Sequence, residues 1–127
     1  MTTMNEIQLQ GTSKTPSVVC TLDPFAIVLS GRSIPENSIE FYRPIMDWVD
    51  AHCSKEGTNL DIKIRLEYFN TSSSKCLMDL LKLVEKSPST AEVHWYYEEE
   101  DEDMLEAGED YDAIIDLPFK LIATDAL

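Results

Sequence analysis

The clearest pattern of hydrophobic and polar positions lies in residues 59–69, "NLDIKIRLEYF", where apolar side chains alternate with charged ones. A period of two places all the apolar side chains on one face of a β-strand. We therefore predict a strand in a sheet that has one covered face and one largely wet face. The side chains predicted to lie on the covered face are Leu60, Ile62, Ile64, Leu66 and Tyr68.

The segment "PSVVCTLDPFAIVLSG" predicts a hairpin, with two alternating runs around a turn at Asp23-Pro24. Its predicted inward side chains are Val18, Cys20, Leu22, Phe25, Ile27 and Leu29. We expect residues 1–14 either to add an edge strand around Ile7 and Leu9 or to be loosely ordered. "AEVHWYY" and "LPFKLIAT" predict two further strands.

A first helix is predicted in "RSIPENSIEFYRPIMDWVDAHCSK", where apolar residues recur at helical spacing. The residues of this stripe are Tyr42, Ile45, Met46, Val49 and Cys53. Either Ser33 or Asn37 is expected to cap the helix, because each has a Glu three residues later. Pro44 lies inside the pattern and predicts a kink or a later start.

Two more helices complete the predicted order β-β-α-β-α-β-α-β. The second has the stripe Leu77, Leu80, Leu81 and Val84 and ends near Pro88. The third, "DEDMLEAGEDYDAII", is acidic, with Met104, Tyr111 and Ile115 inward. This order predicts an α/β fold in one domain, residues 1–127, with helices mainly on one face of a single mixed sheet.

Composition narrows the possible partners. The 127 residues carry a net charge of −14, and the segment 98–116 contains eleven acidic residues and no Lys or Arg. Such a chain is a poor ligand for nucleic acid or for an anionic membrane surface. No stretch is apolar enough for membrane insertion. The three cysteines are odd in number and widely spaced, so we expect reduced cysteines in a cytoplasmic protein.

A run of hydroxyl residues, "NTSSSK", follows the strand of residues 59–69 and begins the second helix. Asn70 or Thr71 is expected to cap this helix, and no carboxylate follows before Asp79. A helix N-terminus presents free N–H groups and a partial positive charge, so this turn would accept an anion. The plain interpretation is a cap followed by solvated serines; the alternative is a phosphorylated hydroxyl.

Three blocks of sequence resemble the SiaC family of regulatory phosphoproteins. They are "SGRSIPENSIEFYRPIMDWV", "LEYFNTSSSKCLMDLLKLVE" and "VHWYYEEEDEDMLEAGEDYDAIIDLPF", which together extend from Ser30 to Phe119. The strand–hydroxyl–helix arrangement also resembles the STAS domains of anti-sigma factor antagonists, which is a wider likeness. The resemblance thus implies a STAS-like fold.

The resemblance to SiaC implies a phosphoacceptor at Thr71, with Asn70, Ser72, Ser73 and Lys75 in the surrounding motif. It implies a dedicated kinase and a PP2C-type phosphatase that act on this residue. The unmodified protein would bind and activate a diguanylate cyclase, and phosphorylation would block this. The output would be control of cyclic-di-GMP and of biofilm formation, by a protein that is not itself an enzyme.

Other candidate chemistry is weaker. The acidic run does not match the register of an EF-hand loop, and the four glycines are isolated, so we expect no metal and no cofactor. Tyr96, Glu99, Asp101 and Asp103 are candidates for a partner surface next to the acidic helix. Two alternative functions stay open: a static acidic scaffold for a basic partner, and a small hydrolase that uses Glu99 and Asp101.

Overall fold

The computed structural model describes residues 6–127, which form one six-stranded sheet and three helices. The strands are β1 (Ile7–Leu9), β2 (Ser17–Leu22), β3 (Phe25–Ser33), β4 (Asn59–Phe69), β5 (Thr90–Glu98) and β6 (Phe119–Thr124). The helices are α1 (Ser38–His52), α2 (Thr71–Lys86) and α3 (Glu102–Ile114). The predicted order is confirmed, with the short β1 in front of it. The possible edge strand around Ile7 and Leu9 is therefore present, whereas residues 1–5 of the segment 1–14 lie outside the described part.

The strands lie side by side in chain order, which makes the sheet mixed. β1, β2 and β3 are antiparallel, because they are joined by short connections. β3, β4, β5 and β6 are parallel, because a helix connects each to the next.

The core lies between the helices and one face of the sheet, as predicted. The alternating residues of β2–β5 that face the helices are buried, while their neighbours on the other face are only partly buried. The three largest fully buried side chains are Trp48, Trp95 and Tyr42. The four stripe residues of α2 are also fully buried, and Met104, Tyr111 and Ile115 are nearly so. Helices on one face therefore leave the other face of the sheet uncovered.

Two predicted core positions are wrong. Leu22 is 38% exposed, because it ends β2 beside the turn at Asp23-Pro24. Tyr68 is 50% exposed, because a β-bulge interrupts the alternation of β4. Gly31 pairs with Leu66 but Arg32 pairs with Tyr68, so one extra residue lies between them on β4. The bulge reverses the facing of the last two residues, and Phe69 rather than Tyr68 packs against the core.

The first helix begins after Asn37, whose side-chain Oδ1 accepts a hydrogen bond from the Glu40 N–H at 3.1 Å. Ser33 is not its cap but the buried last residue of β3. Pro44 neither delays nor ends the helix, which is continuous from Ser38 to His52. In the described part of the chain, no helix is long and apolar enough to cross a membrane.

Candidate functional site

The N-termini of all three helices lie along one edge of the sheet. β3, β4 and β5 run parallel, and each is followed by a helix that starts where the strand ends. The helix caps at this edge, which we call the rim, are Asn37, Asn70 and Asp101. The first turns of α1 and α3 contain acidic residues, whereas the first turn of α2 contains none. The middle helix therefore presents its positive end without an acid of its own.

Asn70 is the single residue between β4 and α2, and it fixes the start of the helix. Its backbone N–H donates to the Ser33 carbonyl oxygen at 3.0 Å, which continues the pairing of β4 with β3. Its side-chain Oδ1 accepts from the Ser73 N–H at 2.9 Å, as expected of a helix cap. Of the two caps considered from sequence, Asn70 rather than Thr71 is observed, and Thr71 is the first residue of the helix.

Ser73 faces inward and is fully buried. Its hydroxyl donates to the Ser33 carbonyl oxygen at 2.9 Å and accepts from the Ser33 hydroxyl at 2.9 Å. Because Ser33 gives its only hydroxyl proton to Ser73, the Tyr42 hydroxyl must be the donor in its contact with Ser33. Burial raises the pKa of Tyr42 to about 12, so this donor keeps its proton at neutral pH.

Ser72 is exposed, but its hydroxyl is held between two partners. It donates to Asn70 Oδ1 at 3.1 Å and lies 2.7 Å from the hydroxyl of Ser38, the first residue of α1. Since Ser72 gives its proton to Asn70, Ser38 is the donor in the second contact. The start of α2 is thus tied to the start of α1.

Ser74 ties the same turn to the third helix. The Tyr111 hydroxyl donates to the Ser74 carbonyl oxygen at 2.6 Å and accepts from the Ser74 hydroxyl at 2.9 Å. Burial raises the pKa of Tyr111 to about 12, against a smaller opposing effect of the Ser74 hydrogen bond. The turn is therefore anchored on both sides, by α1 through Ser72, by β3 through Ser73 and by α3 through Ser74.

Thr71 differs from the three serines that follow it. It is exposed, and among the described residues its hydroxyl makes no hydrogen bond. Lys75 is one turn further along α2 and is also exposed. Of the four consecutive hydroxyls, that of Thr71 is thus the one that is exposed and has no hydrogen-bond partner within residues 6–127.

Two large apolar side chains are exposed on the rim near Thr71. Ile39 is 67% exposed and follows Ser38 at the start of α1. Tyr68 is 50% exposed near the end of β4, with the Arg32 guanidinium 5.8 Å from the centre of its ring. Single exposed apolar side chains are common on protein surfaces, and these two bear on a contact only through their position on the same rim as Thr71.

The four candidates for a partner surface lie at three positions, two of which share Asp101. Tyr96 lies on the uncovered face of the sheet, half-buried under the Arg65 guanidinium 4.8 Å from its ring centre. Glu99 and Asp101 line an acidic depression of about 590 Å³. Asp103 lies apart from Glu99, with Asp101, in a second depression beside the end of β4. Asp101 also caps α3, because its Oδ1 accepts from the Met104 N–H at 3.0 Å.

Sequence reasoning missed the residues that hold the hydroxyl turn: Ser33, Ser38, Tyr42 and Tyr111. Tyr42 and Tyr111 were placed in helix stripes, but their hydroxyl partners come from other elements. One signal was available for α1. Ile34 precedes Pro35, and a residue before proline is disfavoured in a helix, which argues against a start at Ser33.

Comparison with known proteins gives consistent results. Residues 9–124 match the model of the SiaC family of regulatory phosphoproteins. An uncharacterised protein of Pseudomonas aeruginosa strain UCBPP-PA14 is 30% identical over 125 residues, which are 96% of this chain and 99% of the relative.

Solved structures agree with this. The match to the crystal structure of the diguanylate cyclase SiaD in complex with its activator SiaC, from Pseudomonas aeruginosa, has a TM-score of 0.84 and 30% identity, and covers 93% of this chain and 99% of that chain. The crystal structure of apo-SiaC from the same species matches with a TM-score of 0.83 and 30% identity, over 94% of this chain and 100% of that chain. The match of the family model over residues 9–124, together with 30% identity over most of both chains in the relative and in these structures, shows that the chain belongs to the SiaC family of regulatory phosphoproteins.

Proposed function

We propose that this protein is a partner-switching regulator controlled by phosphorylation of Thr71. The unmodified form binds and activates a diguanylate cyclase, a kinase adds phosphate to Thr71, and a PP2C-type phosphatase removes it. Cyclic-di-GMP signalling and biofilm formation are the outputs. The cyclase is supported by the related SiaC, which is the activator in a complex with the cyclase SiaD.

The observation that carries the proposal is the contrast within the hydroxyl turn. Ser72, Ser73 and Ser74 are hydrogen-bonded to neighbouring elements, and Ser73 is fully buried, whereas Thr71 is exposed. Phosphorylation of Ser73 would require the turn to open. Phosphorylation of Thr71 would leave these hydrogen bonds intact and add the anion at the positive end of a helix without an acidic first turn.

The surroundings of Thr71 give a physical reason for the switch. A partner that covers Ile39 and Tyr68 would also cover the surface around Thr71. A phosphate there would lose its water on docking, and burying a dianion without a paired cation is costly. Phosphorylation therefore weakens binding of any partner that places apolar rather than basic side chains over Thr71.

The test compares Thr71→Ala with Thr71→Glu. We measure binding to diguanylate cyclases of the native host, each expressed singly, with SiaD as the reference, and the cyclic-di-GMP that they form. Thr71→Ala should bind and activate like the unmodified protein, and should do so whether or not the kinase is present. Thr71→Glu should bind at least about tenfold more weakly, the size of effect expected when an unpaired charge is buried at an interface.

Ser54→Glu is the matched control, since Ser54 is exposed just after the far end of α1. It adds the same charge away from the rim and should bind like wild type. Equal binding of Thr71→Ala, Thr71→Glu and stoichiometrically phosphorylated protein would contradict the switch.

A further inference from the structure

An open groove of about 350 Å³ lies on the rim between the end of β4 and the start of α3. Its apolar lining is formed by Tyr68, Phe69, Met104 and Ala107, and its carboxylates include Glu67 and Asp103. We call this the acidic groove. It contains apolar surface and negative charge together, unlike the depression around Glu99, whose lining residues are all acidic.

The β-bulge of β4 creates this arrangement. Because the bulge inserts one residue opposite Gly31 and Arg32, Phe69 turns toward the helices and Tyr68 turns away from them. Phe69 contacts Trp95 and Tyr111 edge-on, with ring centres 5.9 and 6.5 Å apart. The floor of the groove is therefore packed against the core and has a fixed shape.

The carboxylates of the groove have different roles. Asp101, the third carboxylate that lines it, is used to cap α3. Glu67 and Asp103 are exposed, and within residues 6–127 neither forms an ion pair. No Lys or Arg is among the residues that line the groove. Two carboxylates that form no ion pair within residues 6–127 thus stand beside an apolar floor, and the nearby Arg32 guanidinium lies over the ring of Tyr68, 5.8 Å from its centre.

We propose that the acidic groove binds a segment of the diguanylate cyclase that presents an apolar side chain flanked by Lys or Arg. This inference rests on the proposed function and specifies the partner's chemistry. The aliphatic part of a Lys or Arg packs on apolar surface while its charged end reaches a carboxylate, which fits the combination of Tyr68 with Glu67 and Asp103. Acidic segments are excluded by like-charge repulsion.

The groove and Thr71 are neighbours, because residues 68–71 run from its wall to the phosphoacceptor. A phosphate on Thr71 would attract a basic segment by charge alone, so the groove cannot be what phosphorylation repels. The groove attracts the basic segment of the partner. Phosphorylation of Thr71 weakens binding in a different way, because the phosphate must lose its water when the partner covers it. The two contributions should therefore be separable by mutation.

The experiment reverses the charge of the groove. Glu67→Lys with Asp103→Lys is compared with Asp110→Lys and Asp112→Lys, two exposed acids further along α3 that give the same change in net charge. The probe is the host cyclase bound by the wild-type protein, titrated at low and physiological salt. The groove pair should raise Kd at least about tenfold and reduce its salt dependence, whereas the control pair should raise Kd less than about threefold.

A neutral pair, Glu67→Gln with Asp103→Asn, covers the case in which charge reversal impairs folding. It should raise Kd in the same direction by a smaller factor, while thermal unfolding confirms that the fold is kept. Wild-type affinity in either groove pair, or an equal loss in the groove and control pairs, would overturn the inference.

Thr71→Glu, measured in the same titration, separates the two proposals. If it loses binding while the folded groove pairs bind like wild type, the groove is wrong and the proposed function stands. If the groove pairs lose binding while Thr71→Glu and the stoichiometrically phosphorylated protein both bind like wild type, the switch is wrong and the groove stands. If the wild-type protein binds no diguanylate cyclase of its host, both are wrong.

Discussion

The two sides of α2 are built differently at its N-terminus. On the α1 side, hydroxyls of Ser33, Ser38, Ser72 and Ser73 meet Tyr42 in a mostly buried network. On the α3 side, one tyrosine, Tyr111, contacts both the backbone and the hydroxyl of Ser74. The α1 side is closed by short side chains, and the α3 side is closed by one large side chain beside an open groove.

The two sides of the rim therefore have different roles: the α1 side positions the turn, and the α3 side leaves surface exposed. The α1 side fixes the turn, because each hydroxyl there gives its proton to a neighbour within the network. The α3 side leaves apolar and acidic surface uncovered next to the same turn. A partner docked on the α3 side, as we propose, would therefore contact Thr71 and the groove together, while the geometry of the turn is set from the other side.

The largest effect is expected from alkaline pH, because both tyrosines are buried as neutral donors. Their pKa values are raised to about 12, mainly by burial, from an ordinary value near 10. The unfolded state therefore loses these protons first as pH rises, so the stability that they contribute is complete below pH 10 and is lost by about pH 12. The free energy of unfolding should fall by up to about 3 kcal/mol for each tyrosine.

Tyr42→Phe and Tyr111→Phe should each remove the contribution of one tyrosine to the fall in the free energy of unfolding at alkaline pH. Denaturant unfolding between pH 9 and 12 measures this fall. Burial also raises the pKa of Cys20 and Cys53, so these thiols contribute to the pH dependence of every variant. Subtracting the wild-type curve therefore leaves the contribution of the tyrosine. Tyr68→Phe is the control, since its side chain is half exposed. An unchanged slope in both buried variants would show that these hydroxyls do not act as assigned.

The second effect concerns the close approach of α3 to the sheet. A Cβ at Gly108 would lie 2.6 Å from Leu121 Cδ2 and 2.7 Å from Trp95 Cδ1. Trp95 is fully buried and its Nε1 donates to the Met104 carbonyl oxygen at 3.0 Å, so it has little room to move. Overpacking should cost more than the roughly 1 kcal/mol that Ala gains over Gly in helix propensity. Gly108→Ala should therefore lower the free energy of unfolding by a net amount of about 2 kcal/mol.

Hydrogen exchange locates the damage in Gly108→Ala. Amides around Ser74 and Tyr111 should exchange faster than in wild type, while those around Ser33 and Tyr42 keep their protection. Uniform loosening of both sides, or no loss of stability, would refute the separation of the two sides of α2.

The smallest effect is expected from the helix caps. Asn70 Oδ1 accepts from both the Ser73 N–H and the Ser72 hydroxyl, whereas Asn37 Oδ1 accepts from the Glu40 N–H. Asn37→Ala should cost about 1 kcal/mol, and Asn70→Ala should cost more, up to about 2 kcal/mol. Thermal unfolding of the two variants compares them directly. A greater loss in Asn37→Ala would mean that the Ser72 hydrogen bond contributes nothing to the turn.

Much of the fold could be predicted, because the period of the apolar residues shows whether a segment is a strand or a helix and which of its sides is buried. The alternation in β4 and the leucine stripe of α2 identified both elements and their buried sides. The bulge in β4 was not predicted, because it depends on how β4 pairs with β3. Gly31, at a φ of +104°, was its one local signal, since a glycine inside a strand often marks such an irregularity.

The candidate site was predictable only in part, for the same reason. "NTSSSK" after a strand identified a helix start without an acid, and Asn70 is indeed its cap. The partners of Ser73 and Ser74 could not be read from the sequence, because Ser33 and Tyr111 are 40 and 37 residues away. The resemblance to the SiaC family implied Thr71 as the phosphoacceptor, but only tertiary contacts distinguish it physically from Ser72, Ser73 and Ser74.

The most direct test of the central claim is the mass of the intact protein and the mapping of its phosphorylation site, on protein isolated from the native host with and without phosphatase inhibition. The account predicts a single phosphate, on Thr71, that accumulates when the phosphatase is inhibited, and none on Ser72, Ser73 or Ser74. A phosphate on Ser72, Ser73 or Ser74, or no phosphate under either condition, would contradict it.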